Sequence, residues 1–220
     1  MIQPGRYFDA HQSFLYNAIF FTYALVLINF YHVSSSKVPL YGLAFSIGNL
    51  AGPLVLGPLF DSWGRKQMIA GTYLVSGVLL GLSAVMFDAG VLNATTQTIM
   101  WVVIFFASAG ASAAYLTVSE TWPIEIRAEA IAIFFAIGRI AGALGPAFYG
   151  ALIGTGTSRT PLFIGYLIGA GIMIIGGLVE IFLGVNAAGK SLEQVTKPLT
   201  SVDADAAAAP TTKAASATAA

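Results

Sequence analysis

Few residues in this chain are equipped for chemistry, and the chemistry they suit is electrostatic rather than covalent. Arg139 sits about eleven residues, or ~17 Å at 1.5 Å per residue, inside a long apolar run. That is too deep for its guanidinium to snorkel to water, so the charge needs a cavity or a partner. Glu129 is nearly three turns away on the same run and cannot supply one. Two readings stand: a bound carboxylate or phosphate, which would make the ligand an anion, or a fixed structural ion pair. Oppositely charged groups also cluster in two short turns, Asp61 with Arg65 and Lys66 around Gly64, and Glu120 with Arg127 around Pro123. Gln12, Tyr16 and Tyr23 fall within about 40° of one another on a helix, a semi-polar stripe fit either to line a cavity or to tie helices together. Paired acids, a histidine-rich metal set and a serine–histidine constellation are missing from the apolar runs, so no enzyme, cofactor or metal site is expected.

The elements that must carry these residues follow from composition. Of 220 residues, 57% are hydrophobic and only 9% charged, and mean hydropathy is +0.80. A soluble domain of this size cannot bury that surplus, so lipid must cover it. Zero formal net charge leaves no basic patch for nucleic acid. The absence of cysteine excludes disulfides, thiolate metal sites and thiol nucleophiles. The N-terminal segment, with Asp9 and His11 close to the first apolar run, does not read as a signal peptide.

Apolar runs of about 20 residues occur six times, at Tyr7–Tyr31, Leu40–Phe60, Gln67–Phe87, Thr98–Val118, Ala128–Ile153 and Leu162–Leu183. Six crossings return both termini to one side. The turns there hold Arg6, Arg65, Lys66, Arg127, Lys190 and Lys197, whereas the other side holds only Lys37 and Arg159. Cationic loops stay inside, so both termini are expected in the cytoplasm of a multi-pass cell-membrane protein. Residues 1–184 read as one six-helix membrane domain. Residues 185–220, rich in Ala and Thr, read as a disordered cytoplasmic tail.

An internal repeat orders the six runs. Phe45-Ser46-Ile47-Gly48-Asn49-Leu50-Ala51-Gly52 returns as Phe135-Ala136-Ile137-Gly138-Arg139-Ile140-Ala141-Gly142, offset by 90 residues. The small-xxx-small pairs Gly48/Gly52, Gly138/Gly142, Gly77/Gly81 and Gly165/Gly169 let helix backbones approach closely. The expected fold is therefore an all-α membrane protein of six transmembrane helices in a 3+3 inverted repeat.

The turn Gly57-Pro58-Leu59-Phe60-Asp61-Ser62-Trp63-Gly64-Arg65-Lys66 and the stretch Glu120-Thr121-Trp122-Pro123-Ile124-Glu125-Ile126-Arg127 resemble, in order, two cytoplasmic motifs of the major facilitator transporters. The nearest likeness is to the C-terminal half of a sugar porter. The resemblance implies half of a major facilitator fold and transport of a sugar or organic acid by alternating access, in the manner of a symporter. It also implies a cytoplasmic gate of Asp61, Gly64, Arg65, Lys66, Glu120 and Arg127, whose ion pairs hold helix ends together in one state and part in another. His11-Gln12-Ser13-Phe14-Leu15-Tyr16-Asn17 resembles the family's seventh-helix stretch, whose amides hold sugar hydroxyls, with His11 in place of a glutamine. Asn49 and Tyr115 match positions that face the sugar in the eighth and tenth helices. By this resemblance Gln12, Asn17, Asn49 and Tyr115 join Arg139 as solute-binding candidates.

The family's full fold has twelve helices, so the resemblance also implies a second six-helix half, either another copy or a separately encoded chain, that completes the binding cavity. The alternative is a truncated or non-transporting membrane protein that only pairs with another half. Glu180, one turn from the end of the last run, reads as a surface or latch charge, and His32 as interfacial.

Overall fold

The computed structural model describes residues 5–107 and 122–184. Among these residues every regular element is an α-helix: α1 (Gly5–Tyr31), α2 (Val38–Ser62), α3 (Arg65–Asp88), α4 (Ala94–Ala107), α5 (Arg127–Ile153) and α6 (Thr160–Leu183). Four are long and apolar enough to cross a bilayer, namely α2, α3, α5 and Thr160–Phe182 of α6. In α1 the apolar part is the shorter Tyr16–Tyr31, and α4 contributes Ala94–Phe105. The rest of the expected fourth crossing, together with residues 185–220, lies outside the described residues.

Local chemistry sets the helix boundaries. Proline occupies the first turn of α2 and of α6, where a missing N–H costs nothing. Asn93 starts α4, its Oδ1 accepting the Thr95 and Thr96 amides at 3.0 and 2.9 Å. Gly64 turns the chain from α2 into α3 at φ 98°, a conformation that a side chain would strain. At the end of α1, His32 takes φ 54°, and the Val33 amide reaches back to the Leu27 carbonyl at 3.0 Å. A histidine thus closes α1 in the left-handed position usually given to glycine.

The helices pack in three dominant pairs, α1 on α5, α3 on α6 and α2 on α4, with α3 also resting on α4. Small residues permit the close approaches. A Cβ on Gly48 would meet the Val102 carbonyl at 3.1 Å, and one on Gly77 would meet the Ala170 carbonyl at 3.1 Å. On the α1–α5 seam, a Cβ on Gly145 would run into the Phe14 carbonyl. Such contacts replace the hydrophobic effect, which gives helices in lipid no reason to associate. Aromatic rings fill the centre: Phe45 packs on Trp101 and Phe105 at centroid distances of 5.6 and 5.1 Å, and Phe87 on Phe30 and Tyr166 at 5.2 and 6.0 Å.

Burial is uneven among the four long helices. Of the apolar spans, 56% of α3 and 44% of α6 is buried, but only 22% of α2 and 18% of α5. In both exposed helices the repeated glycines, Gly48 and Gly52 in α2 and Gly138 and Gly142 in α5, are buried. The polar residue following the first glycine of each pair, Asn49 or Arg139, is exposed.

Candidate functional site

Near the middle of α2 the Asn49 Nδ2 donates a hydrogen bond to the Tyr16 hydroxyl at 2.8 Å. The Tyr16 ring is held in place by its neighbours, stacked on Phe20 at 6.0 Å with planes 10° apart and tilted against Phe105 at 4.9 Å. Asn17 follows on α1 and is half-buried. Tyr16, read from the sequence only as part of a stripe, is thereby joined to a site candidate on another helix.

Arg139 stands at the corresponding position of α5, exposed near the middle of a span. Among the described residues no carboxylate pairs with it. A lone guanidinium and an exposed amide at mid-membrane depth are costly against hydrocarbon, so both require a polar cavity or a complementary surface. The Gln12 side chain and the whole of Tyr115 and Glu120 lie outside the described residues.

At the end of the bundle that carries the charged turns, Asp61 is exposed in the last turn of α2, and Arg65 and Lys66 are half-buried in the first turn of α3. Lys66 is close enough to act electrostatically on Glu180 of α6. Glu180 itself is 7% exposed, which corrects the expectation of a surface charge: packing of α6 on α3 covers it and supplies a cation. Arg127 spends its fork locally, Nε and Nη2 donating to the Trp122 carbonyl at 3.2 and 3.1 Å. This bond braces the turn at Pro123 that leads into α5.

The opposite end holds a polar assembly that sequence reading did not single out. Arg159, counted only as a topology charge, donates to the Phe87 carbonyl at 2.7 Å. Its guanidinium lies 5.1 Å from the Phe87 ring centroid and 5.9 Å from that of Tyr31. The Tyr31 hydroxyl donates to Gln97 Oε1 at 3.0 Å, and Gln97 Nε2 donates to Ser83 Oγ at 3.0 Å. Gln97 and Ser83 are fully buried, and this relay satisfies both. No local sequence signal marks it, because its polar side chains, Tyr31, Ser83, Gln97 and Arg159, come from four different segments.

Asn49 and Arg139 thus stand exposed at mid-depth, between ends held by charge and hydrogen bonds. Among the described residues no group of His, Cys, Asp or Glu is placed to hold a metal ion. A search of curated proteins finds no match. The family model described as Major Facilitator Superfamily matches residues 12–215.

Proposed function

The chain belongs to the Major Facilitator Superfamily, a family of membrane transporters of small solutes, and from that premise we propose that it is a sugar-porter-like, C-terminal-type six-helix half. In this reading it helps move a sugar, sugar acid or other organic acid across the cell membrane by alternating access, without covalent chemistry. The observation that carries the reading is the pair of exposed mid-span polar groups, Asn49 and Arg139, at equivalent positions of two otherwise apolar, outward-facing helices.

The helix pairing supports the 3+3 repeat. Exchanging the first three helices for the last three turns the α1–α5 pair into α4–α2 and leaves α3–α6 unchanged, and these are the three dominant pairs. The cationic turns favour cytoplasmic termini, and in this reading Asp61, Gly64, Arg65, Lys66, Glu120 and Arg127 act as a gate at that edge. The exposed faces of α2 and α5 favour a second six-helix bundle as partner, a second copy or a separate chain, closing the cavity over Asn49 and Arg139.

Arg139 favours an anionic cargo over a neutral one, since a carboxylate would supply the missing counter-charge. The test is uptake of radiolabelled D-glucose and D-gluconate into membrane vesicles carrying wild type, Arg139→Gln, Asp61→Asn or Arg65→Gln. Arg139→Gln is expected to lose gluconate uptake selectively, and the two gate variants to slow uptake while leaving binding intact. Equal gluconate uptake by wild type and Arg139→Gln would remove the anion site from the proposal. A chain that only pairs with another bundle, the alternative reading, would show neither uptake nor any ligand-dependent rise in melting temperature.

A further inference from the structure

We propose that Tyr16 and Asn49 together form a subsite that reads a single hydroxyl group of the solute, with Tyr16 as its specificity-determining residue. The inference rests on the reading of the chain as a carrier of a hydroxyl-bearing solute, and it goes beyond that reading in assigning a role to Tyr16.

The argument starts from what the 2.8 Å bond between them leaves over. A primary amide has two donors and an acceptor, and a phenol has one donor and acceptor lone pairs. With Asn49 Nδ2 donating to Tyr16 Oη, the phenol proton is left to donate and Asn49 Oδ1 is left to accept. Among the described residues, nothing takes up either group. Turning the amide over gives the same result with the roles exchanged: Tyr16 would donate to Oδ1, leaving a phenol lone pair and an N–H. Either way one donor and one acceptor remain side by side.

A hydroxyl is the small group that fits this combination, because it accepts from one and donates to the other and so closes a ring of three hydrogen bonds. An ether or carboxylate oxygen can only accept, and an ammonium can only donate. Either would leave one member of the pair unmatched.

Placement and rigidity support a reading role over simple helix bridging. Asn49 lies near the middle of α2, where an unmatched polar group is most costly. Asn49 is exposed rather than sealed between helices, and α1 and α2 touch only lightly, so the bond does not sit inside a packed seam. The Tyr16 ring cannot swing freely, held as it is by Phe20 and Phe105. A donor and acceptor fixed in this way select by orientation as well as by type.

The test is competition by D-glucose and its single-deoxy analogues against uptake of radiolabelled D-glucose or D-gluconate, in vesicles carrying the full chain. Removing one particular hydroxyl is expected to weaken competition by about tenfold in wild type. In Tyr16→Phe that penalty is expected to fall to about one, with the parent sugar weakened by the same factor and the penalties at other positions unchanged. Asn49→Leu is expected to abolish the same penalty, and the double variant to do no more than either single. The melting temperature of each purified variant identifies one that fails to fold, and the remaining single then carries the test. Retention of the penalty in a folded Tyr16→Phe or Asn49→Leu overturns the proposal, as does a variant that lowers only the melting temperature, which would make the bond a helix tie. Failure of the wild type to take up either label removes the reading of this chain as a sugar or sugar-acid carrier paired with its own copy before any variant is compared, and this inference with it.

Discussion

The Arg159 guanidinium donates to the Phe87 carbonyl across 2.7 Å, at the end of the antiparallel α3–α6 pair opposite the one where Lys66 meets Glu180. Each helix of the pair thus carries a cation at its start that reaches the other helix near its end, where the carbonyl dipoles favour positive charge. Replacing Arg159 with Ala is expected to lower the stability of the purified protein by about 1–3 kcal/mol, through loss of the charge-assisted bond and the ring contacts. Arg159→Lys should recover part of this, since it keeps the charge but not the planar fork. Thermal melting in detergent measures both, and an Ala variant as stable as wild type would show that the contact is incidental.

Glu180 and Lys66 are expected to behave as a unit. Glu180→Gln strands the half-buried Lys66 but also spares a covered carboxylate its desolvation, so its net cost is expected to stay within about 1 kcal/mol. Adding Lys66→Met should return part of that loss, because the stranded charge is removed with its partner. The four melting temperatures of the cycle decide it, and purely additive losses would mean that the two groups do not interact.

His32 closes α1 with φ 54°, a conformation that costs a β-carbon about 1 kcal/mol and glycine almost nothing. His32→Gly is therefore expected to raise the melting temperature, and His32→Val to lower it. The reverse order would contradict the left-handed cap.

Along the α1–α5 seam, Gly145→Ala should destabilise by about 1–3 kcal/mol, because the new methyl meets the Phe14 backbone and Ala18, which cannot move aside independently. Gly71→Ala is the control. Nothing lies within 4 Å of its added carbon, so helix propensity makes the change neutral or mildly stabilising.

The sidedness of the chain can be read directly, since it contains no cysteine to remove first. Single cysteines replacing Arg65 and Arg127 are expected to react with an impermeant thiol reagent from the same face of the membrane, and one replacing Thr155 from the other. Labelling of positions 65 and 127 from opposite faces would break the topology on which the gate and the repeat depend.

Much of this architecture is legible in the sequence, because its signals are local. Hydropathy over a helix length marked the runs that became α2, α3, α5 and α6, Gly64 marked a turn that only a residue without a side chain adopts easily, and the recurring glycines marked the positions that became buried in α2 and α5. The site was legible only in part. Arg139 stood out as a charge in an apolar run and Asn49 through the family resemblance, but nothing near them in sequence names their neighbours.

Sequence by itself determined which segments prefer lipid, where they turn, and which few polar groups they carry into the membrane, since each depends on residues within a turn or two of one another. Tertiary structure decided what those groups do to one another. Tyr16 is matched to Asn49 across two helices that touch only lightly, and Lys66 to Glu180 and Arg159 to Phe87 along a pair that small residues bring close together. A side chain's partner in lipid is set by which helix faces touch, and that choice is made by the packing of the whole bundle.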